Sequence, residues 1–277
     1  MRKKIAVMFF VLAVSSLLVA QRLPSTAPDP KPGPWIGQDK AINAPETQTC
    51  SFSYSSGSGD TFTRYCLTVN GNIVQLDSPS GFEYLQVGTF GEGYGLCDLT
   101  AGNVSYFDYA GFGDSANWGA TTVTVPNATS RKFVRTTTDG IWQLTQTIKQ
   151  VKANAAGPGS IQISSVIKNL TGINRDIIFL RYADVDAGGS TSDEISQTKN
   201  SAFGSDTVQN GLLLTTNTYT FGHYAAEWTI PGGADPCNFN TNRAAAPFVG
   251  DGSIGHLFAL TVPKLATKTI KVTYKPF

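Results

Sequence analysis

The chain has 277 residues, of which 41% are hydrophobic, 11% aromatic and only 15% charged, enough apolar content to bury a core and too little charge for a solvated disordered polymer. Its 21 Lys and Arg stand against 20 Asp and Glu, and three of the cations, Arg2, Lys3 and Lys4, sit at the extreme N-terminus. With or without them there is no basic footprint for nucleic acid or an anionic membrane, so no nucleic-acid partner is expected.

Residues 1–20 combine that positive start with an apolar run from Ile5 to Val19 and then Ala20, the pattern of a signal peptide. The mature chain is expected to begin near Gln21. The alternative is an uncleaved anchor, because the run approaches the ~17–20 residues that span a bilayer. No later segment is continuously apolar, so the mature chain is read as exported (secreted, periplasmic or at the cell surface), with no stable membrane insertion. Residues 21–45 carry Pro24, Pro28, Pro30, Pro32, Pro34 and Pro45 and read as an extended linker. From 46 to 277 short Thr-, Val-, Ile- and aromatic-rich runs alternate with Gly, Asn and Asp. That texture predicts one antiparallel β-sandwich domain.

Export makes the four cysteines disulfide candidates. Folding Cys50–Tyr54 against Phe62–Cys66 as a symmetric hairpin puts Cys50 opposite Cys66 and Tyr54 opposite Phe62, which leaves Cys97 with Cys237. A zinc site would want short Cys-x-x-Cys pairs, and these are absent.

Asn70-Gly71 and Asp139-Gly140 lie between strand-like runs and predict two-residue type I′ hairpins; Asn210-Gly211 is a weaker third case. After the second turn, alternation places Trp142, Leu144 and Ile148 on the core face. Ile161–Ile167 and Asp176–Tyr182 read as a further pair of long strands joined by a polar connection. At the C-terminus Ile270, Val272 and Tyr274 share one face, and Lys271 and Lys275 take the other. Gly91-Glu92-Gly93-Tyr94-Gly95 lacks the Lys and helix of a phosphate loop and reads as a turn region. No helical stretch of twelve residues and no fixed-period repeat is found beyond the N-terminal segment.

The run Ile167-Lys168-Asn169-Leu170-Thr171-Gly172, followed by Arg181-Tyr182-Ala183-Asp184-Val185-Asp186 within a single large β domain, resembles the mutarotase-like supersandwich of carbohydrate-active proteins, and also exported bacterial β-sandwich proteins of unknown role. The resemblance covers about half the chain as a pattern. It implies a fold, and no catalytic motif transfers with it.

Two segments carry candidate chemistry. Asp184 to Glu194 is the densest acidic stretch, and oxygen-bearing side chains at alternate positions followed by glycine can wrap calcium, with Asp184, Asp186 and Asp193 as ligands. The competing reading is a solvated loop between strands. Tyr106, Tyr109 and Trp118 form an aromatic cluster suited to stacking on sugar rings, provided that their faces are exposed; otherwise they pack the sandwich.

Evidence for a nucleophile is thin. Asp251-Gly252-Ser253-Ile254-Gly255 lacks the first glycine of the G-x-S-x-G elbow, and His256 opens an apolar run as a strand-end residue. His223 and Glu227 are spaced four apart but lack a helix to align them, and two histidines exclude a three-histidine metal site. Paired carboxylates, Asp184 with Glu227 or Asp98 with Asp108, keep a hydrolase, lyase or epimerase open. The reading favoured is a non-enzymatic module that binds a neutral extracellular polysaccharide or a surface protein. A structural envelope protein is the third possibility.

Overall fold

The computed structural model describes residues 49–85, 91–110, 113–190, 192–206, 210–218, 223–228, 235–239, 244 and 247–277. The N-terminal segment and linker expected from the sequence lie outside these residues. No helix among the described residues is long and apolar enough to cross a membrane.

Strands β1 (Phe52–Ser56), β2 (Thr63–Leu67) and β3 (Ile73–Asp77) form a three-stranded sheet in that order. Then come β4 (Glu92–Asp98), β5 (Val104–Tyr109), β6 (Gly113–Asp114), β7 (Thr122–Asn127), β8 (Ser130–Thr136), β9 (Trp142–Val151), β10 (Ser160–Asn169) and β11 (Arg175–Val185). The rest are β12 (Asp193–Gln197), β13 (Ser201–Ser205), β14 (Gly211–Thr216), β15 (His223–Trp228), β16 (Phe248–Gly250), β17 (Gly252–Val262) and β18 (Thr267–Pro276). Nine of these make one sheet, in the order β16-β12-β13-β14-β18-β10-β9-β8-β7, and six make another, β15-β17-β11-β4-β5-β6. All pairings are antiparallel, and the two large sheets share one hydrophobic core, as an all-β sandwich requires.

Alternation decides which residues fill that core. Trp142, Leu144 and Ile148 on β9 are buried as expected, as are Ile270, Val272 and Tyr274 on β18. Each such large apolar side chain contributes on the order of 2–3 kcal/mol by leaving water. Polar groups also bridge the sheets. Arg181 on β11 pairs with Glu92 on β4 and donates from Nη1 to Gln146 Oε1 on β9 at 2.6 Å. Tyr274 OH donates to Glu92 Oε1 at 2.8 Å, and the Ile73 amide donates to Glu92 Oε2 at 2.7 Å.

Several expectations are corrected. Asn70-Gly71 and Asp139-Gly140 do turn the chain, but only the glycines take positive φ (84° and 70°), and each amide bonds the carbonyl three residues back, at Thr68 and Thr137. Thr68 pairs with Asn72 and Thr137 with Trp142, so these are a three-residue and a four-residue connection with glycine in the left-handed position, not type I′ turns. Ile161–Ile167 and Asp176–Tyr182 do not pair. They lie in different sheets, and Asn169 holds the crossing by donating from Nδ2 to the carbonyls of Ile173 (2.7 Å) and Val262 (3.1 Å). The glycine-rich 91–95 segment enters strand β4 instead of forming a turn. A Cβ on Gly95 would stand 2.8 Å from the Tyr109 hydroxyl and 3.0 Å from Pro236. Glycine there clears the strand surface so that these groups can lie flat on it.

The disulfides are Cys50–Cys66 and Cys97–Cys237, as the spacing predicted. The hairpin register behind the first differs: Tyr54 faces Tyr65 and Ser53 faces Cys66, because a 3₁₀ turn at Gly59–Thr61 makes the connection asymmetric. The outermost strand β7 is largely exposed, carries Pro126, and has a register irregularity between Thr124 and Asn127.

Candidate functional site

Asp184, Asp186 and Asp193 meet where the chain passes between the two large sheets. On one ladder Asp184 faces Ser253 and Val185 faces Gly252; on the other Asp193 faces Gly250. Asp251 alone separates β16 of one sheet from β17 of the other, so the two ladders converge on it. Asp184, Asp186 and Asp193 are buried, while Asp251, Gly188, Gly189 and Ser192 keep the rim open to solvent.

Taking carboxylates out of water penalises their charge. Burial pushes Asp184 up to about 7 against the hydrogen bond from Ser253, and the charges of Asp186, Asp251 and Asp193 add to the effect. Burial likewise raises Asp193 to about 7 against the Ala187 amide, and, together with Asp251, raises Asp186 to about 6. One oxygen of Asp186 and one of Asp193, Oδ1 in each, is buried without a hydrogen-bond donor. Such acceptors are uncommon in folded proteins, and here two of them fall beside one solvent-facing rim.

A hydrogen-bonded chain leads inward from the junction. Ser253 Oγ donates to Asp184 Oδ1 at 2.9 Å, which commits its only proton, so Tyr182 OH at 2.5 Å donates to Ser253. Burial holds the Tyr182 hydroxyl well above its usual range, which keeps it a donor. Tyr182 belongs to a second apolar cluster, with Tyr109, Leu180 and Leu257, on the face of the six-stranded sheet turned away from the main core. Phe239 packs over it, and the Cys97–Cys237 bridge fixes the 235–239 segment there.

The calcium reading is corrected in its geometry. Among the described residues no group of three or more His, Cys, Asp or Glu side chains is placed to hold a metal ion. Asp184 turns to Ser253, and Asp193 Oδ2 accepts from the Ala187 amide at 3.1 Å, so the carboxylates act on one another through space without forming a cation shell.

The aromatic platform is corrected too. Tyr106, Tyr109 and Trp118 are all buried. Tyr106 and Tyr109 are three apart on β5 and so fall on opposite faces of the sheet. Tyr106 packs edge-on to Trp118 at 6.1 Å in the main core and donates to Asp139 Oδ2 at 2.6 Å; Trp118 also lies against Tyr94 and under Arg135. Tyr109 packs against Tyr182 and Phe107 in the other cluster.

The proposed Asp98–Asp108 pair does not form. Asp98 is held by Arg175 and by Trp142 Nε1 at 3.0 Å, and Asp108 by Arg135, Asn70 and Asn72. Glu227 lies opposite Ile254, one register position away from the Asp184–Ser253 pair. His256 is not at a strand end. It is buried within β17, and its Nε2 donates to the Leu214 carbonyl at 3.0 Å, tying one sheet to the other.

No family model matches the chain, and comparison with curated proteins finds no significant relative. Solved structures do match. A bacterial glucoamylase complexed with acarbose superposes with a TM-score of 0.57 at 12% identity, over 86% of this chain and 34% of that one. A putative aldose 1-epimerase from Escherichia coli K12 matches with a TM-score of 0.49 at 8% identity, over 82% of this chain and 99% of that one. The chain thus spans about a third of the glucoamylase, and at these identities the likeness is one of fold.

Proposed function

We propose that the protein is an exported, non-enzymatic β-sandwich module that binds a neutral glycan at the acidic junction around Asp251. The observation that carries this reading is the pair of donor-less carboxylate oxygens on Asp186 and Asp193 beside a solvent-open rim. A glycan is dense in hydroxyl donors. A neutral one avoids the repulsion that an anionic chain would meet from four aspartates. The two disulfides agree with an oxidising compartment, and the glucoamylase, a third of which this chain matches in fold, was solved complexed with acarbose. N-terminal sequencing of the exported material should begin near Gln21.

The test is a screen of the purified protein against neutral and acidic polysaccharides, with product analysis on every hit. Asp193→Asn should weaken binding of a neutral glycan by tenfold or more while the fold persists. Binding only to acidic polymers, or binding indifferent to Asp186 and Asp193, would overturn the site.

A carbohydrate-processing enzyme is the second reading, favoured by Asp184, whose carboxyl can hold or release a proton near neutral pH. Products that vanish in Asp184→Asn while binding survives would select it. A protein that folds and binds nothing would select the structural role.

A further inference from the structure

The segment that follows β3 ties the three-stranded sheet to the acidic junction. Its turn is closed by the Ser78 amide, which donates to the Phe82 carbonyl at 3.0 Å, and Glu83 returns beside Asp77 as its antiparallel bridge partner. Leu85 then bridges Val185 on β11. Between these anchors the backbone of the segment holds the junction. The Tyr84 carbonyl accepts from the Asp186 amide at 3.1 Å, and the Glu83 carbonyl accepts from the Gly188 amide at 2.7 Å. Gly188 has a φ of 70°, and a Cβ there would stand 2.8 Å from the Phe82 ring, so this ring lies directly against the turn Ala187–Gly189.

The two oxygens of Glu83 meet opposite surroundings. Oε1 accepts three amides, from Leu76 at 2.7 Å, Leu85 at 3.1 Å and Tyr84 at 3.2 Å. Oε2 is buried with no donor among the described residues, and the carboxyl of Asp77 stands within hydrogen-bonding reach of Glu83. Two carboxylates have only acceptors to offer each other, and a proton between them turns the contact into a hydrogen bond. That proton belongs on Glu83, because Arg64 on β2 answers the charge of Asp77, donating to its Oδ2 from Nε at 3.0 Å and from Nη2. Burial first, then the hydrogen bond and the charge of Asp77, hold Glu83 well above its usual range against the amides of Leu76 and Leu85. The charged groups of the adjoining elements are thus Arg64 and Asp77 on the three-stranded sheet, with Asp184 and Asp186 on either side of Val185.

We propose that Asp77 and Glu83 share a single proton, and that this proton latches the Phe82–Leu85 segment against the acidic junction. While the proton is held, Glu83 gathers the amides of residues 76, 84 and 85 and presents its own carbonyl to Gly188. Its release to water leaves two carboxylates side by side inside the fold, of which Arg64 answers the one on Asp77. Their repulsion drives Glu83 from Asp77 and carries Phe82 and the Glu83 carbonyl away from Gly188. The latch is therefore closed at low pH and opens as rising pH ionises Glu83. It works whether or not the junction binds a glycan.

Amide hydrogen exchange on the purified full chain, read residue by residue as protection factors at about pH 5.5 and about pH 9, tests this. In the parent, protection at Leu76, Leu85 and Gly188 should fall about tenfold or more at the higher pH. Glu83→Gln keeps an oxygen for the three amides and donates from Nε2 to Asp77 at every pH. It should match the parent at the lower pH and keep its protection at the higher one, where the junction aspartates are ionised in both proteins and the difference belongs to Glu83. If that variant does not fold, the carboxyl carbon-13 shift of Glu83 in the parent gives the answer directly, and it should remain that of an acid through neutral pH. Equal protection of parent and variant at the higher pH, a difference as large at the lower pH, or a Glu83 carboxyl that titrates in the ordinary glutamate range would overturn the proposal.

Discussion

Two regions of this molecule treat buried charge differently. Around Asp251 aspartates gather and repel one another, and Asp186 Oδ1 and Asp193 Oδ1 are buried without donors. Between the two large sheets acid meets base, Glu92 with Arg181 and Asp108 with Arg135. The same sandwich balances these central ion pairs and leaves an excess of acceptors at the junction, where a hydroxyl-rich ligand can complete it. Two covalent staples add to this: Cys97–Cys237 holds the 235–239 segment beside the inward chain from Asp184, and Cys50–Cys66 ties the chain just before β1 to β2.

Breaking the staples is the most forceful way to separate the two regions. The long bridge closes 140 residues and the short one 16, so loop-closure entropy assigns about 5 and about 3 kcal/mol. Cys97→Ser/Cys237→Ser should therefore shift the urea midpoint further than Cys50→Ser/Cys66→Ser. Between these two in size falls Glu92→Gln, which strands the Arg181 charge inside the matched interior and should cost about 3–5 kcal/mol in the same titration. A loss below about 1 kcal/mol would show that the balanced pair is not what distinguishes the interior.

The gentlest probe is pH. Asp184 and Asp193 hold protons up to about 7 and Asp186 up to about 6, whereas each would lose its proton near 3.8 once unfolded. The native state thus binds more protons between these values. Stability should grow as pH falls from 8 through 7 and complete its rise near 4, by on the order of 2–4 kcal/mol. Asp184→Asn should melt higher than the parent at pH 8 and show a shallower slope. A stability maximum above pH 7 would contradict the acceptor surplus.

Local pattern made much of the architecture legible. Trp142, Leu144 and Ile148 announce a core-facing strand by alternation, and the cysteine spacing leads to the right connectivity even though the hairpin register behind it is off by three. What the sequence conceals is decided at a distance. Gly93 and Gly95 look like turn residues because the groups that need their bare surface, Tyr109 and Pro236, are up to 141 residues away in the chain. Ile161–Ile167 and Asp176–Tyr182 look like a hairpin because nothing local shows that Asn169 carries the chain from one sheet to the other. The acidic stretch drew attention through density, yet Ser253 and Asp251, which complete the junction, arrive from another strand. Alternation itself speaks against an aromatic platform, because Tyr106 and Tyr109, three apart, cannot share a face of any regular strand.

The outer edge of the nine-stranded sheet has a bearing on how this chain behaves at high concentration. A long open strand invites another copy to add to it through its free amides and carbonyls. On β7, Pro126 has no amide hydrogen to offer, and the register irregularity beside it bends the ladder out of line. At the opposite edge β16 is only three residues long. Among the described residues neither border offers an uninterrupted template, so addition of a second copy to the large sheet is disfavoured at both edges.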